Sequence, residues 1–138
     1  MSVARFGVSI PQGLMEAFDR RIRAKGYSNR SEAIRDLMRE YLVAGEWDRD
    51  DGIVVGTITV VYSHGTPELT HVLTELQHRF HGAVSCSTHV HLDEHNCLEV
   101  IVVKGRAKAV QEIADQLIST RGVKHGKLVC TTSGQGLT

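Results

Sequence analysis

The segment Ala4–Pro11 has the sequence ARFGVSIP, in which apolar and polar residues alternate up to the proline. Phe6, Val8 and Ile10 would lie on one face of an extended chain, so the pattern predicts a half-buried β-strand. Proline suits the first turn of a helix, because its missing N–H would have no helical partner there. We therefore expect the strand to lead directly into a helix.

Two helices are predicted after this strand. The first has an apolar residue at every fourth position from Leu14 to Ile22, and Gly26 is suited to end it in the left-handed conformation. The second begins within GYSNRSEAIRDLMREYL, which starts at Gly26, and either Ser28 or Asn29 could cap it. The predicted order is strand, helix, helix.

A single strand leaves its backbone groups unpaired, and about 45 residues bury too little surface to form a stable core alone. Pairing with the same strand of a second copy would solve both problems. This order and the GYSNRSEAIRDLMREYL string resemble the ribbon-helix-helix family of DNA-binding repressors. The resemblance implies a two-stranded ribbon in the major groove and a second helix whose N-terminus contacts phosphates.

The matching positions for DNA contact follow from that resemblance. Base contacts would come from Arg5, Gly7 and Ser9, and phosphate contacts from Asn29, Arg30 and Arg35. Gly7 offers no side chain, so base discrimination would depend on its two neighbours on that face. The alternative is that these residues form only the solvated faces of an edge strand and a helix.

Composition divides the chain of 138 residues into two parts. Residues 1–42 carry eight basic and five acidic residues, whereas residues 43–138 carry eight basic residues, eleven acidic residues and all eight histidines. Between these parts, VAGEWDRDDG lacks a sustained apolar period, which predicts a hinge near Ala44–Asp51. The expected domains are residues 1–46 and 52–132.

Several classes of protein are disfavoured by the same composition. No apolar stretch approaches the roughly 20 residues needed to cross a bilayer. We expect no export, since no basic-then-apolar leader is evident. The three cysteines lack the spacing of a disulfide framework, so reduced thiols in a cytoplasmic protein are expected.

The second part has the element order of a ferredoxin-like βαββαβ domain, which makes the expected fold class α+β. Small-molecule-sensing ACT-type modules look similar, so this order does not identify a ligand. The predicted strands and helices are Ile53–Ser63, Pro67–Phe80, Ala83–Leu92, Asn96–Lys104, Arg106–Thr120 and Lys124–Thr131. Helices on one side would leave the other face of the sheet to meet water or another subunit.

The sequence STHVHLDEHNCLEV, residues 87–100, concentrates potential metal ligands. His89 and His91 are two residues apart on a strand, so both imidazoles point to one face. After a tight turn, Cys97 can lie opposite that pair, which predicts a three-point metal site on a hairpin. Alternation assigns Cys86 to the other face and to the core, and Cys130 is expected to be at least partly buried.

A fourth ligand could come from the first helix of this domain. Its apolar stripe is predicted to include Leu69, Val72, Leu73, Leu76 and Phe80. His78 lies on the opposite side of that helix, so a ligand there would serve a different subunit. The alternative is an ordinary solvated histidine.

The complete layout resembles the nickel-responsive transcriptional regulator family, through its ribbon-helix-helix segment and its HVHxxxxxCLE motif. The resemblance implies a homotetramer, a dimer of dimers, that binds nickel(II) at subunit interfaces. The ligands would be His89, His91 and Cys97 of one subunit and His78 of the facing subunit. Three imidazoles and a thiolate in a plane suit nickel(II) or copper(II) better than zinc.

Weaker correspondences follow from the same resemblance. Glu99 would act beside the ligands, and Glu32 and Asp36 match a secondary cation site of the family. Glu32 and Asp36 are equally well interpreted as an ordinary acidic pair on a solvated helix face. The family's basic loop after the first strand of this domain corresponds to SHGTPE, residues 63–68, which has no lysine or arginine.

The expected function is a nickel-dependent repressor that binds operator DNA and controls nickel uptake genes. One alternative is a metal- or small-molecule-binding oligomer that does not bind DNA, and another is a regulator that senses a different transition metal. An enzyme is not expected, because four protein ligands leave no vacant position of the kind that catalytic metals keep.

Overall fold

The computed structural model describes residues 2–138. Its elements are α1 (Gln12–Ala24), α2 (Arg30–Arg49), β1 (Val54–Ser63), α3 (Pro67–Arg79), β2 (Val84–His91), β3 (Asn96–Gly105), α4 (Ala107–Ile118) and β4 (Val123–Thr131). The chain divides into an N-terminal unit, which ends at Glu40, and a C-terminal unit, Tyr41–Thr138. Among residues 2–138, no helix is both long enough and apolar enough to cross a bilayer.

The turn between α1 and α2 follows the sequence prediction. Gly26 has φ of 93°, the left-handed conformation expected after a helix. The Asn29 side chain accepts a hydrogen bond from the Glu32 N–H at 2.9 Å, so Asn29 caps α2. The Tyr27 hydroxyl donates to Asp36 Oδ2 at 2.5 Å and ties this turn to α2.

The predicted strand at the N-terminus does not form in the single chain. Residues 2–10 belong to no helix or strand, and the side chains of Phe6 and Val8 are 67% and 65% exposed. The reason is physical: a strand needs a hydrogen-bonding partner, and the ribbon was expected to pair two copies. That pairing stays a prediction.

The predicted hinge is wrong over most of its length. α2 continues to Arg49, and Val43 and Trp47, one helical turn apart, are buried in the core of the C-terminal unit. The Trp47 indole N–H also donates to the carbonyl oxygen of Thr131 at 2.8 Å. Burial of these two side chains outweighs the low helix propensity of Gly45.

The chain leaves α2 through Asp50, which has φ of 53°. Asparagine and aspartate tolerate this left-handed conformation better than most residues. The Asp50 carboxylate accepts the backbone N–H of Lys108 at 2.9 Å and so caps the first turn of α4. The junction between α2 and β1 is therefore held by specific contacts within the C-terminal unit.

The C-terminal unit has the predicted βαββαβ order, and the fold class is α+β. Its four-stranded antiparallel sheet has the order β2-β3-β1-β4. Alternate residues of β1, from Val54 to Tyr62, are buried, and residues of α3 and α4 join them in one core. The fully buried side chains include Ile58, Tyr62, Leu73, Ile101, Ile113 and Leu117.

Three side chains expected inside the molecule are exposed. Val72 on α3 is 42% exposed, although it was placed in the buried stripe. Cys86 pairs with Val102, on the face opposite Cys97 as predicted, but it is exposed, since α3 and α4 pack on the Cys97 face of the sheet. Cys130 is exposed because it lies near the end of β4, an edge strand.

Candidate metal centre

Four side chains bring nitrogen and sulfur donors together at one end of the sheet. The ligand atoms of His64, His89, His91 and Cys97 all lie within 4.8 Å of one another. His89 and His91 come from β2, Cys97 comes from β3, and His64 follows β1 directly. Within residues 2–138, this is the only such group of three or more histidine, cysteine or acidic side chains.

Strand register explains why the predicted hairpin residues meet. His91 pairs with Cys97 across β2 and β3, and His89 pairs with Glu99. Paired residues of antiparallel strands project to the same face, which here is the face that carries the helices. The structure thus brings together the predicted trio, although its role as a metal site remains a prediction.

Cys97 forms the floor of the cluster and the imidazoles form its rim. The cysteine is fully buried, whereas the three histidines are exposed. His64 Nδ1 lies 3.1 Å from Cys97 Sγ, and His91 Nδ1 lies 3.6 Å from the same sulfur. An ion that arrives from solvent would meet the imidazoles first and the sulfur last.

Sequence reasoning missed His64. The segment that contains it, residues 63–68, attracts attention in the sequence only through its lack of basic side chains. The missed signal was parity, because His64 continues the alternation that places Tyr62 on the face of Cys97. Its backbone N–H donates to the carbonyl of His95 at 2.6 Å, which fixes it beside the turn between β2 and β3.

Two further polar side chains surround His89. The Tyr62 hydroxyl lies 3.1 Å from His89 Nδ1, and burial raises the pKa of Tyr62 to about 12, with smaller contributions from Glu99 and Cys97. Burial also raises the pKa of Glu99, against the opposing effects of His89 and a hydrogen bond from Gln77. The Gln77 amide donates to Glu99 Oε2 at 3.3 Å, which links α3 to β3.

His78, the predicted fourth ligand, lies outside the cluster. It is exposed near the C-terminal end of α3, and its side chain is not among the four grouped donors. Its predicted role requires a second copy of the chain, so it stays a prediction.

The predicted DNA contacts lie in the N-terminal unit. Arg5, Gly7 and Ser9 are exposed before α1. Arg30 makes a two-pronged ion pair with Asp19, at 2.9 and 2.8 Å, and this pair lowers the pKa of Asp19. The roles of these residues toward DNA stay predictions.

The predicted secondary cation residues already have cationic neighbours within α2. Glu32 forms an ion pair with Arg35 and a longer one, at 3.8 Å, with Arg39. Asp36 accepts from Arg39 at 2.5 Å, and the hydrogen bond from Tyr27 is the main cause of its lowered pKa. An added cation would compete with these arginines.

Comparison with known families matches both parts of the chain. Residues 55–131 match the family model described as NikR C terminal nickel binding domain. Residues 4–44 match the family model described as Ribbon-helix-helix protein, copG family.

Full-length relatives agree with these matches. Proteins named nickel-responsive regulators share 58% identity over 137 residues in Thermococcus onnurineus and 56% over 137 residues in Pyrococcus furiosus, with 99% of both chains covered in each case. One from Geobacter sulfurreducens shares 57% over 133 residues, which is 96% of each chain.

A solved structure supports the fold alone. An uncharacterized protein from Thermotoga maritima aligns with 57% of this chain and 98% of its own, with a TM-score of 0.52 and 18% sequence identity.

Proposed function

The chain belongs to the nickel-responsive regulator family, and we propose that it is a nickel-dependent transcriptional repressor of nickel uptake genes. The family joins a ribbon-helix-helix domain to a nickel-binding domain, so nickel is its cofactor. Its members are regulators, which confirms the expectation that the protein is not an enzyme. The proposed site of action is the cytoplasm.

The observation that carries the proposal is the cluster of imidazoles around one buried thiol. Imidazole and thiolate ligands suit late first-row transition metals, including nickel(II). His89, His91 and Cys97 would hold the ion, with Cys97 binding as the thiolate and the imidazoles in their neutral forms. Nickel supplies no chemistry on a substrate here, because its role is to bias the assembly of the protein.

Two histidines compete for the fourth ligand position. We favour His78 of a second copy, because it places the complete site between subunits of a proposed homotetramer. His64 is the second candidate, because its Nδ1 lies 3.1 Å from Cys97 Sγ within one chain. The two alternatives differ in whether nickel binding requires assembly.

DNA binding is proposed to involve two copies of the N-terminal unit. Their strands would pair into a ribbon, with Arg5 and Ser9 directed at bases and Gly7 between them. The capped start of α2, with Asn29, Arg30 and Arg35, would lie on phosphates. Nickel would favour the assembly in which both ribbons reach one operator, to the extent that it binds that assembly more tightly.

A gel-shift titration tests this function. The DNA would be the promoter region upstream of the protein's own gene or of a nickel transporter gene, and the added ions would be nickel, zinc, cobalt and copper. We expect nickel to retard the DNA in the gel at a lower concentration than any of the other three ions. Absence of retention with every metal would favour the binding module without DNA, and stronger retention with another ion would favour a sensor of that metal.

Subunit mixing identifies the fourth ligand. A thiolate bound to nickel gives a charge-transfer absorption band. We expect this band to be weakened or lost in the His78→Ala protein and in the Cys97→Ala protein. If the fourth ligand comes from a second copy, mixing these two variants should restore part of the band. If His64→Ala alone abolishes the band while His78→Ala leaves it, the site lies within one chain.

A further inference from the structure

Tyr62 contacts the proposed metal site in two ways. It pairs with Cys97 across β1 and β3, so both side chains project to the same face of the sheet. Its hydroxyl lies 3.1 Å from Nδ1 of His89, and the two rings meet edge to face with centroids 6.0 Å apart. The side chain is 1% exposed, so this phenol is fixed by the core.

The position of His89 differs from that of the other two imidazoles. His64 and His91 direct Nδ1 toward the sulfur of Cys97, at 3.1 and 3.6 Å. His89 directs Nδ1 toward the Tyr62 hydroxyl. An imidazole has two nitrogens, so occupation of Nδ1 by the phenol leaves Nε2 available to bind a metal.

We propose that Tyr62 is a positioning residue for nickel: its phenol oxygen accepts the Nδ1–H of His89, fixes the ring and makes Nε2 the ligand atom. The proposal rests on the proposed function, because it takes His89 to be a ligand. Metal-binding histidines generally donate their second ring N–H to a fixed acceptor, which sets the tautomer and the ring orientation. In the metal-free protein either partner can donate, whereas a metal on Nε2 requires the ring proton on Nδ1.

Hydroxyl removal tests the energetic part of the proposal. Tyr62→Phe keeps the buried ring and removes only the oxygen, while Tyr27→Phe removes a hydroxyl bonded to Asp36 in the N-terminal unit. Competition with a chelator would give the nickel dissociation constant of each full-length variant. We expect Tyr62→Phe to weaken nickel binding by about 10- to 100-fold, the usual effect of losing such an acceptor, and Tyr27→Phe to leave it unchanged.

Nuclear magnetic resonance tests the geometric part without any substitution. Long-range ¹⁵N–¹H spectra of wild-type protein loaded with zinc(II), a diamagnetic ion, identify which histidine nitrogen carries the metal. We expect Nε2 for His89, with the proton on Nδ1. A merely structural role for Tyr62 would not set this nitrogen, and in Tyr62→Phe protein we expect a mixture of the two.

The outcomes distinguish the role of Tyr62 from the existence of the nickel site. Metal on Nδ1 of His89 in the wild type, or an unchanged nickel dissociation constant in a folded Tyr62→Phe protein, would overturn the role of Tyr62 alone. Equal weakening in both tyrosine variants would overturn it too, since the effect would then not be specific to the site. A wild-type protein with no thiolate-to-nickel absorption band would overturn the proposed nickel site as well.

Discussion

The two units of the chain differ in how far a single copy can complete them. The C-terminal unit buries a continuous core and gathers four metal donors through contacts within one chain. The N-terminal unit leaves Phe6, Val8, Leu14 and Leu37 more than half exposed, and its described residues before α1, 2–11, form no strand. Large exposed apolar surfaces usually mark interfaces, so we expect the first unit to need a partner for its fold. The second unit folds by its own register, and a partner is proposed there only for the fourth metal ligand.

The largest expected effect tests the strand register that assembles the C-terminal cluster. Cys97→Ser removes the soft ligand from the floor of the cluster, so the nickel charge-transfer band should disappear. Cys86→Ser is the matched control, because Cys86 pairs with Val102 on the other face of the sheet. Loss of the band in the Cys86 variant, or its persistence in the Cys97 variant, would contradict the register argument.

The next effect tests the N-terminal unit, which we expect to need a partner. Phe6→Glu places a charge on the predicted inner face of the ribbon, so two copies should no longer pair through it. Operator affinity should fall at least about a thousandfold, the usual gap between specific and non-specific binding. Fluorescence anisotropy on labelled DNA would measure this loss. Unchanged operator affinity would show that the segment before α1 does not form the ribbon.

A smaller effect separates the two kinds of DNA contact. Arg5→Ala should cost about 1–3 kcal/mol on the operator and little on random DNA, as expected for one base contact. Arg35→Ala should weaken binding to both DNAs and reduce the slope of affinity against salt by about one. Binding isotherms at several salt concentrations would measure both. Equal losses on both DNAs for Arg5→Ala would assign Arg5 to the phosphates.

The smallest effect concerns the acid sensitivity of the N-terminal unit. The hydrogen bond and charge of Arg30 hold the pKa of Asp19 below its ordinary value of 3.8. A lowered pKa stabilises the fold above pH 3.8, and this contribution is lost as the pH falls through the folded value. The protection factors of amides in α1 and α2, which correct for the intrinsic pH dependence of exchange, should therefore fall toward acid pH, and less steeply in Asp19→Asn. Parallel pH profiles for the two proteins would contradict this contribution.

Sequence patterns predicted the parts of the molecule whose causes are local. Period-two alternation placed His89, His91 and Cys97 on one face, and the structure brings them together. Gly26 ends its turn in the left-handed conformation, as a residue without a Cβ can. Such features depend on a few neighbouring residues, so the local sequence is enough to predict them.

The sequence predictions that were wrong failed because of tertiary contacts. α2 extends through Val43 and Trp47 because both side chains are buried in the C-terminal core. The glycine and aspartates around them favour a loop, so the sequence did not predict this extension. Cys86 is exposed because α3 and α4 pack on the opposite face of the sheet. His64 and Tyr62 join the site through pairing of β1 with β3, a contact between residues more than 30 positions apart. Parity along β1 indicates the face on which His64 and Tyr62 lie, but it does not indicate which strand pairs with β1.

Trp47 also gives the protein an optical reporter at a known place. It is the only tryptophan of the sequence, and its indole is buried with its N–H bonded to Thr131. A Cβ added at Gly56 would come within 3.3 Å of the ring, so the indole lies against the backbone of β1. Its emission should therefore be shifted to the blue in the folded protein and should move to the red when the end of α2 detaches. Intrinsic fluorescence can thus follow this junction during a nickel titration, with no label attached.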